Sequence, residues 1–290
     1  MTYKTTHSGQ RHATVLITMA LALVLSACGG GSGQTGNSSS SLLPGQSVAA
    51  AADGLSAVDK KEIAMQLVAS AENSSLDWKA QYAYIEDISD GRGYTGGIIG
   101  FTSGTGDMLE LVEAYTKTNS GNVLSTYLPA LRKVNGTASH AGLDPNFVAH
   151  WKVAAKDPAF QKGQDTLRDN MYFNPSVAQA KQDGLGTLGQ FIYYDAIVMH
   201  GPGGDTLSNS FYGLRAQALR RALPPSQGGN ETAYLNAFLD VRRALMAGES
   251  DHAGNVDRID TQQRLFLKNG NLDLKTPLSW SVNGDSYQIP

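Results

Sequence analysis

A single cysteine, Cys28, is present in 290 residues. One thiol cannot close an internal disulfide, so the chain is not a disulfide-stapled scaffold. Metal-ligand patterns are missing too: the six histidines fall at 7, 12, 140, 150, 200 and 252, with no pair at helical ligand spacing. No serine stands in a nucleophile elbow, no basic block suggests nucleic acid, and no repeat recurs at a solenoid period. Gly91-Arg92-Gly93-Tyr94-Thr95-Gly96 matches the dinucleotide fingerprint by letter. That fingerprint needs a buried strand before it and a helix opening at its third glycine. Here Asp90 precedes the motif and β-type residues follow, so no nucleotide is expected. These absences leave carboxylates as the groups able to carry chemistry, with no metal and no cofactor.

Apolar residues make up 41% of the chain and charged residues 17%, an ordinary globular balance. The N-terminal segment differs from the rest. Lys4, Arg11 and His12 precede an apolar run from Ala13 to Leu25, which has the length of a signal-peptide core and is short for a membrane span. The run ends in Leu25-Ser26-Ala27-Cys28, followed by Gly29-Gly30-Gly31-Ser32-Gly33. This resembles the lipobox of bacterial lipoproteins, in which the cysteine becomes the lipidated first residue. The expected organisation is a removable lipoprotein signal peptide over 1–27, a Gly/Ser-rich tether over 28–57 and one folded unit over 58–290. The protein is then exported to the cell envelope or beyond, meets membrane only through a lipid on Cys28, and is a monomer. Loss of Lys4 and Arg11 with the leader moves the formal charge from −3 to −5, which suits a cationic partner and equally suits plain solubility.

From Asp59 onward the signals are mostly helical. Ile63, Met65, Leu67, Val68 and Ala71 recur at helical spacing, with Ser56 or Asp59 able to cap the start. Asp144-Pro145, Asp157-Pro158 and Asn174-Pro175 each read as a cap followed by proline at the first helical position. Further helical patterns cover about 107–117, 185–200, 211–223, 231–247 and 256–268. Tyr82 to Phe101 instead alternates apolar with polar residues and carries turn chemistry at Asp90-Gly91 and Gly96-Gly97. It predicts a small β-sheet, in which glycine lets the backbone approach a ligand closely. The fold class is mainly α (α+β). Trp78, Trp151 and Trp280 read as buried aromatic core, and Glu86 and Asp240 as solvated or structural acids.

Two carboxylates stand out by their surroundings. Glu72 ends the first helix and extends the row of Met65 and Val68, so partial desolvation and the helix dipole both push its pKa upward, as a general acid requires. A solvated helix-end glutamate fits the same features. Asp90 sits in a tight, exposed turn beside Arg92, with Thr95 nearby, so it stays ionised and can act as a base; an ordinary Asp-Gly turn fits equally well. As a pair, one carboxyl in an apolar setting and one in a polar setting match the division between acid and base in glycosidases.

Ser70-Ala71-Glu72-Asn73-Ser74-Ser75-Leu76-Asp77-Trp78-Lys79, Tyr84-Ile85-Glu86-Asp87-Ile88 and Asp90 to Phe101 together resemble the signature of the chitosanases of glycoside hydrolase family 46. The likeness continues through Ser103 to Asp107, Tyr127 to Leu131, Tyr193 to Gly203 and Phe266 to Leu274. The resemblance implies a two-lobed, lysozyme-like fold with a substrate cleft between the lobes, and an inverting endo-hydrolysis of β-1,4 glucosaminidic linkages in chitosan. It implies that Glu72 is the acid, Asp90 the base activating water and Thr95 the residue orienting that water. It further implies an ion network of Asp195, Arg242 and Arg258 behind the acid. Asp195 interrupts the apolar helix from Phe191 to Met199 and on its own terms needs a cation if buried. By the same resemblance Asp107 binds a glucosamine ammonium, and Tyr84, Arg92 and Glu249 line the cleft. The partners expected are chitosan and glucosamine oligosaccharides. Two alternatives share these features: a lysozyme-like hydrolase of peptidoglycan or chitin, and a non-catalytic lipoprotein that binds polycationic sugar.

Overall fold

The apolar spacing of Ile63, Met65, Leu67 and Ala71 does form a helix, α1 (Val58–Asn73), closed by Ser74 in the left-handed conformation. The computed structural model describes residues 53–248 and 255–290. After α1 a 3-10 turn (Trp78–Ala83) leads into an antiparallel sheet of β1 (Ile85–Asp87), β2 (Tyr94–Gly96) and β3 (Phe101–Thr102). β2 is central, so Thr95 pairs with Glu86 on one side and Thr102 on the other. Then come α2 (Asp107–Thr118), α3 (Leu128–Val134), α4 (Phe147–Ala154), α5 (Pro158–Arg168), α6 (Asn174–Gln182), α7 (Thr187–His200), α8 (Phe211–Leu219), α9 (Glu231–Gly248) and α10 (Arg264–Lys268). An antiparallel hairpin, β4 (Leu278–Val282) and β5 (Asp285–Ile289), follows.

Two hydrophobic cores result. One surrounds α7, where Phe191, Ile192, Tyr193 and Ile197 are fully buried against α1, α6, α8, α9 and the hairpin. The other lies under the sheet, with Phe101, Leu111, Phe147, Trp151 and Phe160 at its centre. Full burial of one such side chain contributes about 1.5–3 kcal/mol, so each core is a substantial unit in itself. The chain crosses between them at two places that matter for the site. Trp78 packs on both cores. Helices α5 and α6 run on through a π-helical turn (Asp169–Phe173), with Phe160 and Leu167 in the sheet core and Phe173, Val177 and Ala180 in the α7 core.

Several expectations change. At Asn174-Pro175, α6 does open with proline in its first turn, but Asn174 has helical dihedrals rather than those of a cap, because the π-helical turn runs straight into α6. At Asp144-Pro145 the helix begins only at Phe147, and the Asp144 carboxylate instead accepts a bond from the Tyr94 hydroxyl at 2.5 Å. Asp157 does cap α5, accepting from the Ala159 N–H. The fold begins earlier than residue 58. Leu55 is fully buried in the α7 core and its N–H donates to Gln190 Oε1 at 2.8 Å, so the tether cannot extend to 57. Trp151 and Trp280 are buried, whereas Trp78 is only half-buried. Residues 1–52 and 249–254 lie outside the described residues, and with them the signal peptide, Cys28, most of the tether and Glu249.

Candidate active site

A cleft of about 520 Å³ opens between the two cores. Met65, Val68 and Glu72, one row of α1, line it from the α7 side. Glu72 keeps 35% side-chain exposure, and its Oε1 accepts from Arg258 Nη2 at 2.7 Å. Its setting is therefore partly desolvated and ion-paired: the row of α1 supplies the apolar side, and Arg258 supplies the cation that the resemblance implied. The same Arg258 Nη2 reaches Asp195 Oδ1 at 3.0 Å. Asp195 Oδ2 accepts from Arg242 Nη1 at 2.6 Å and from Gln263 Nε2 at 2.7 Å. Two carboxylates thus face two guanidiniums, which balances charge in a place where Asp195 and Arg242 are fully buried. Burial pushes the Asp195 carboxyl up, but Arg258, Arg242 and their hydrogen bonds outweigh it and hold the group below the usual range. Burial likewise holds Arg242 below its ordinary value. Behind the pair, Arg242 Nε donates to His200 Nε2 at 3.2 Å. Arg258 stands at the start of a second π-helical turn (Arg258–Gln263), which also supplies Gln263.

The opposite wall comes from the sheet. Gly91 and Gly93 both have positive φ, 84° and 72°, and a Cβ on Gly93 would lie 2.4 Å from Ser103 Oγ, which holds the Tyr94 N–H. Between these glycines the chain folds Arg92 back onto Asp90. Arg92 Nε and Nη2 donate to Asp90 Oδ2 at 2.8 and 2.5 Å, and its backbone N–H donates to Oδ1 at 3.0 Å. Asp90 is therefore covered, with 10% side-chain exposure, and not exposed as the turn suggested. Arg92 is the member of the pair that lines the cleft. Thr95 lines it as well, 2% exposed, and its Oγ1 has no hydrogen-bond partner among the described residues. Tyr84 stands beside them; burial, then the Glu86 and Asp90 carboxylates, push its hydroxyl up to about 12.

Asp107 opens α2 at the far side of the cleft. Three donors converge on its Oδ1: the N–H groups of Thr102 and Met108 at 2.8 and 2.9 Å and Thr105 Oγ1 at 2.8 Å. None is recorded on Oδ2 among the described residues. Burial raises the Asp107 pKa despite these bonds. One turn on, Glu110 also lines the cleft. Both cleft arginines are already neutralised, Arg92 by Asp90 and Arg168 by Asp165 and Asp169. Asp107 and Glu110 have no ion-pair partner among the described residues, so the uncompensated charge on this wall is negative.

Sequence reading missed Glu110, Tyr172 and the cleft-lining role of Trp78. Tyr172 sits in the first π turn, and its hydroxyl is pushed up to about 12 by burial and by Asp107, with Arg92 acting the other way. A π turn shifts a side chain off the 3.6-residue face, so periodicity gives no warning of it. Glu110 was findable, three residues from Asp107 and on the same helix face. Among the described residues no group of three or more His, Cys, Asp or Glu is arranged to hold a metal.

Comparison with known proteins places this geometry among relatives. The Glycosyl hydrolase family 46 pattern matches residues 66–278. A chitosanase from Streptomyces sp. (strain N174) is 58% identical over 98% of this chain and 99% of its own length. One from Nocardioides sp. (strain N106) is 55% identical over 93% of this chain and 96% of its own. Among solved structures, a co-crystal structure of chitosanase OU01 with substrate superposes with a TM-score of 0.76 at 58% identity, covering 82% of this chain and 99% of that one.

Proposed function

The chain belongs to glycosyl hydrolase family 46 and is a glycoside hydrolase of the chitosanase kind, and from that premise we propose that it cuts β-1,4 glucosaminidic linkages inside chitosan chains by an inverting mechanism. The observation that carries the reading is that Glu72 from one core, and Arg92 and Thr95 from the sheet beside the other, line one cleft, with Asp90 held directly behind Arg92. Protonated Glu72 donates to the glycosidic oxygen. As its proton leaves, negative charge grows on a carboxylate whose Oε1 lies 2.7 Å from Arg258, so the developing charge is met by a fixed cation that needs no rearrangement. Asp90 takes a proton from water on the other side of the sugar, and the Thr95 hydroxyl, without a partner among the described residues, orients that water. Arg92 must yield some of its hold on Asp90 when the base acts, because its backbone N–H, Nε and Nη2 all donate to that carboxylate.

The acidic wall of Asp107 and Glu110 supports a substrate bearing an ammonium on each sugar, since an N-acetylated polymer offers no charge to match it. Glu72→Gln and Asp90→Asn are each expected to lose about 10²–10⁴-fold in kcat on chitosan while still binding oligosaccharide. Proton NMR of the first products is expected to show the α-anomer before mutarotation. A variant within a few-fold of wild type removes that residue from its role, and an initial β-anomer removes the inverting mechanism.

A further inference from the structure

The hairpin of β4 and β5 is bonded to the chain neighbours of both halves of the ion pair on Glu72. Its turn, Asn283-Gly284, has positive φ at both residues, 55° and 84°, the two-residue geometry that asparagine and glycine tolerate. Asn283 makes two hydrogen bonds away from the hairpin. Its backbone N–H donates to Asp257 Oδ2 at 2.6 Å, and its side-chain amide donates to the Ala71 carbonyl at 3.1 Å. Asp257 directly precedes Arg258, and Ala71 directly precedes Glu72. One residue therefore holds the immediate neighbours of both partners in the 2.7 Å contact between Arg258 and Glu72.

The bond to Ala71 falls where α1 is weakest. Ala71 lies among the last four residues of the helix, whose carbonyls have no intrahelical donor, so the end that carries Glu72 is free to fray unless something outside satisfies them. A second tie runs one position earlier: Ser70 Oγ accepts from Trp280 Nε1 of β4 at 3.1 Å and from Gln262 Nε2 of the Arg258 turn at 3.2 Å. The hairpin thus joins the end of α1 to the turn bearing Arg258. It begins at Leu278, where the family match ends.

We propose that the Asn283-Gly284 turn sets the geometry of the Glu72–Arg258 pair, which makes Asn283 a positioning residue for proton transfer to the leaving group. The proposal rests on the reading of Glu72 as the acid. Its physical basis is that small displacements of a catalytic group are costly, about 10²-fold for 1 Å in severe cases. Asn283→Gly is the decisive variant, because glycine keeps the positive φ and the backbone N–H and removes only the amide to Ala71. Loss of that bond is expected to lower kcat about fivefold, the equivalent of one ordinary hydrogen bond, at unchanged KM, and to displace a limb of the kcat–pH profile. In an Arg258→Lys background, where the pair is already disturbed, the same change should have little further effect. Gln288→Ala, exposed on the same hairpin, should keep wild-type kinetics and profile. Wild-type kcat and pH profile in Asn283→Gly overturn the proposal, as does a loss that merely follows the folded fraction or is undiminished beside Arg258→Lys. Glu72→Gln assayed alongside separates the layers: if it stays active the acid reading falls and the proposal with it, and if it is inactive while Asn283→Gly is unaltered the proposal alone falls.

Discussion

Glu72–Arg258 and Asp90–Arg92 are both carboxylate–guanidinium pairs on the same cleft, yet they are built in opposite ways. The first joins residues 186 apart in sequence and continues into the buried Asp195 and Arg242. The second joins residues two apart inside a glycine turn and keeps 10% and 23% side-chain exposure. The long-range pair exists only when the α7 core is assembled, so the proposed acid is tied to global folding. The local pair needs the glycine turn and the Ser103-Gly104 segment that braces it, so the proposed base can be adjusted with less effect on the rest of the molecule.

The strongest way to break that contrast is to remove the hub of the long-range pair. Asp195→Asn keeps much of the shape but leaves Arg242 and Arg258 facing the single charge of Glu72. Unpairing a buried ion cluster costs about 3–5 kcal/mol, or roughly 10 °C in a protein of this size, and Glu72 loses its fixed partner geometry, so activity falls as well. Arg92→Ala, acting on the partly exposed pair, should cost about 1 kcal/mol or less. Thermal unfolding of the two variants side by side decides the matter, and equal losses would erase the distinction. The pH dependence has a definite sign. The folded Asp195 pKa lies below the ordinary 3.8, so its contribution is present above that value and is lost as pH falls through the lowered one. The wild type should therefore lose its advantage over Asp195→Asn only in strong acid.

A smaller and more selective effect is expected at Thr95. Valine has nearly the same shape, and the hydroxyl it deletes is buried without a partner among the described residues. Stability should be unchanged or slightly raised, because an unsatisfied buried group disappears. If the hydroxyl orients the attacking water, kcat on chitosan falls about 10–100-fold. A Thr95→Val enzyme within twofold of wild type would leave Thr95 as a strand residue only.

The same contrast explains how far the sequence was readable. Asp90, Arg92 and Thr95 lie close together, and alternation with glycine turns was enough to put Thr95 on a small sheet and Asp90 and Arg92 in the turn before it. What the residues did not reveal is that Arg92 folds back and covers the carboxylate, since that depends on the positive φ of Gly91 and Gly93 and on Ser103 behind them. Around Glu72 the helix and its lining row were legible from periodicity, and Asp195 inside an apolar helix announced that a cation was needed. Nothing local names that cation. Arg242 and Arg258 came from the family resemblance, because no periodicity links residues so far apart. The π turns at 169–173 and 258–263 hid Tyr172 and the way Arg258 is presented, as both depart from the 3.6-residue repeat. The hairpin is a different case. Leu278-Ser279-Trp280-Ser281-Val282 followed by Asn283-Gly284 is a plain alternation-plus-turn signal, and it lay open in the sequence.

Asp107 offers the smallest effect on stability and the sharpest test of what the acidic wall is for. Burial raises its pKa above 3.8 even though Thr102, Thr105 and Met108 all donate to Oδ1. A raised carboxyl contributes fully to stability below its unfolded pKa and loses that contribution as pH rises through the folded value, so at neutral pH the ionised group is a liability to the fold. Asparagine can keep the oxygen that accepts all three bonds while removing the charge. Asp107→Asn is therefore expected to melt at the wild-type temperature or about 1–2 °C above it at pH 7, and to lose that margin near pH 3.5. Binding should move the other way: a charge-assisted bond to an ammonium is worth about 1.5–3 kcal/mol, so KM for chitosan rises roughly tenfold or more while kcat changes less. A variant that is less stable at pH 7 would mean that the carboxylate serves the start of α2. An unchanged KM would mean that the substrate's ammonium groups are met elsewhere in the cleft, with Glu110 the next residue to replace.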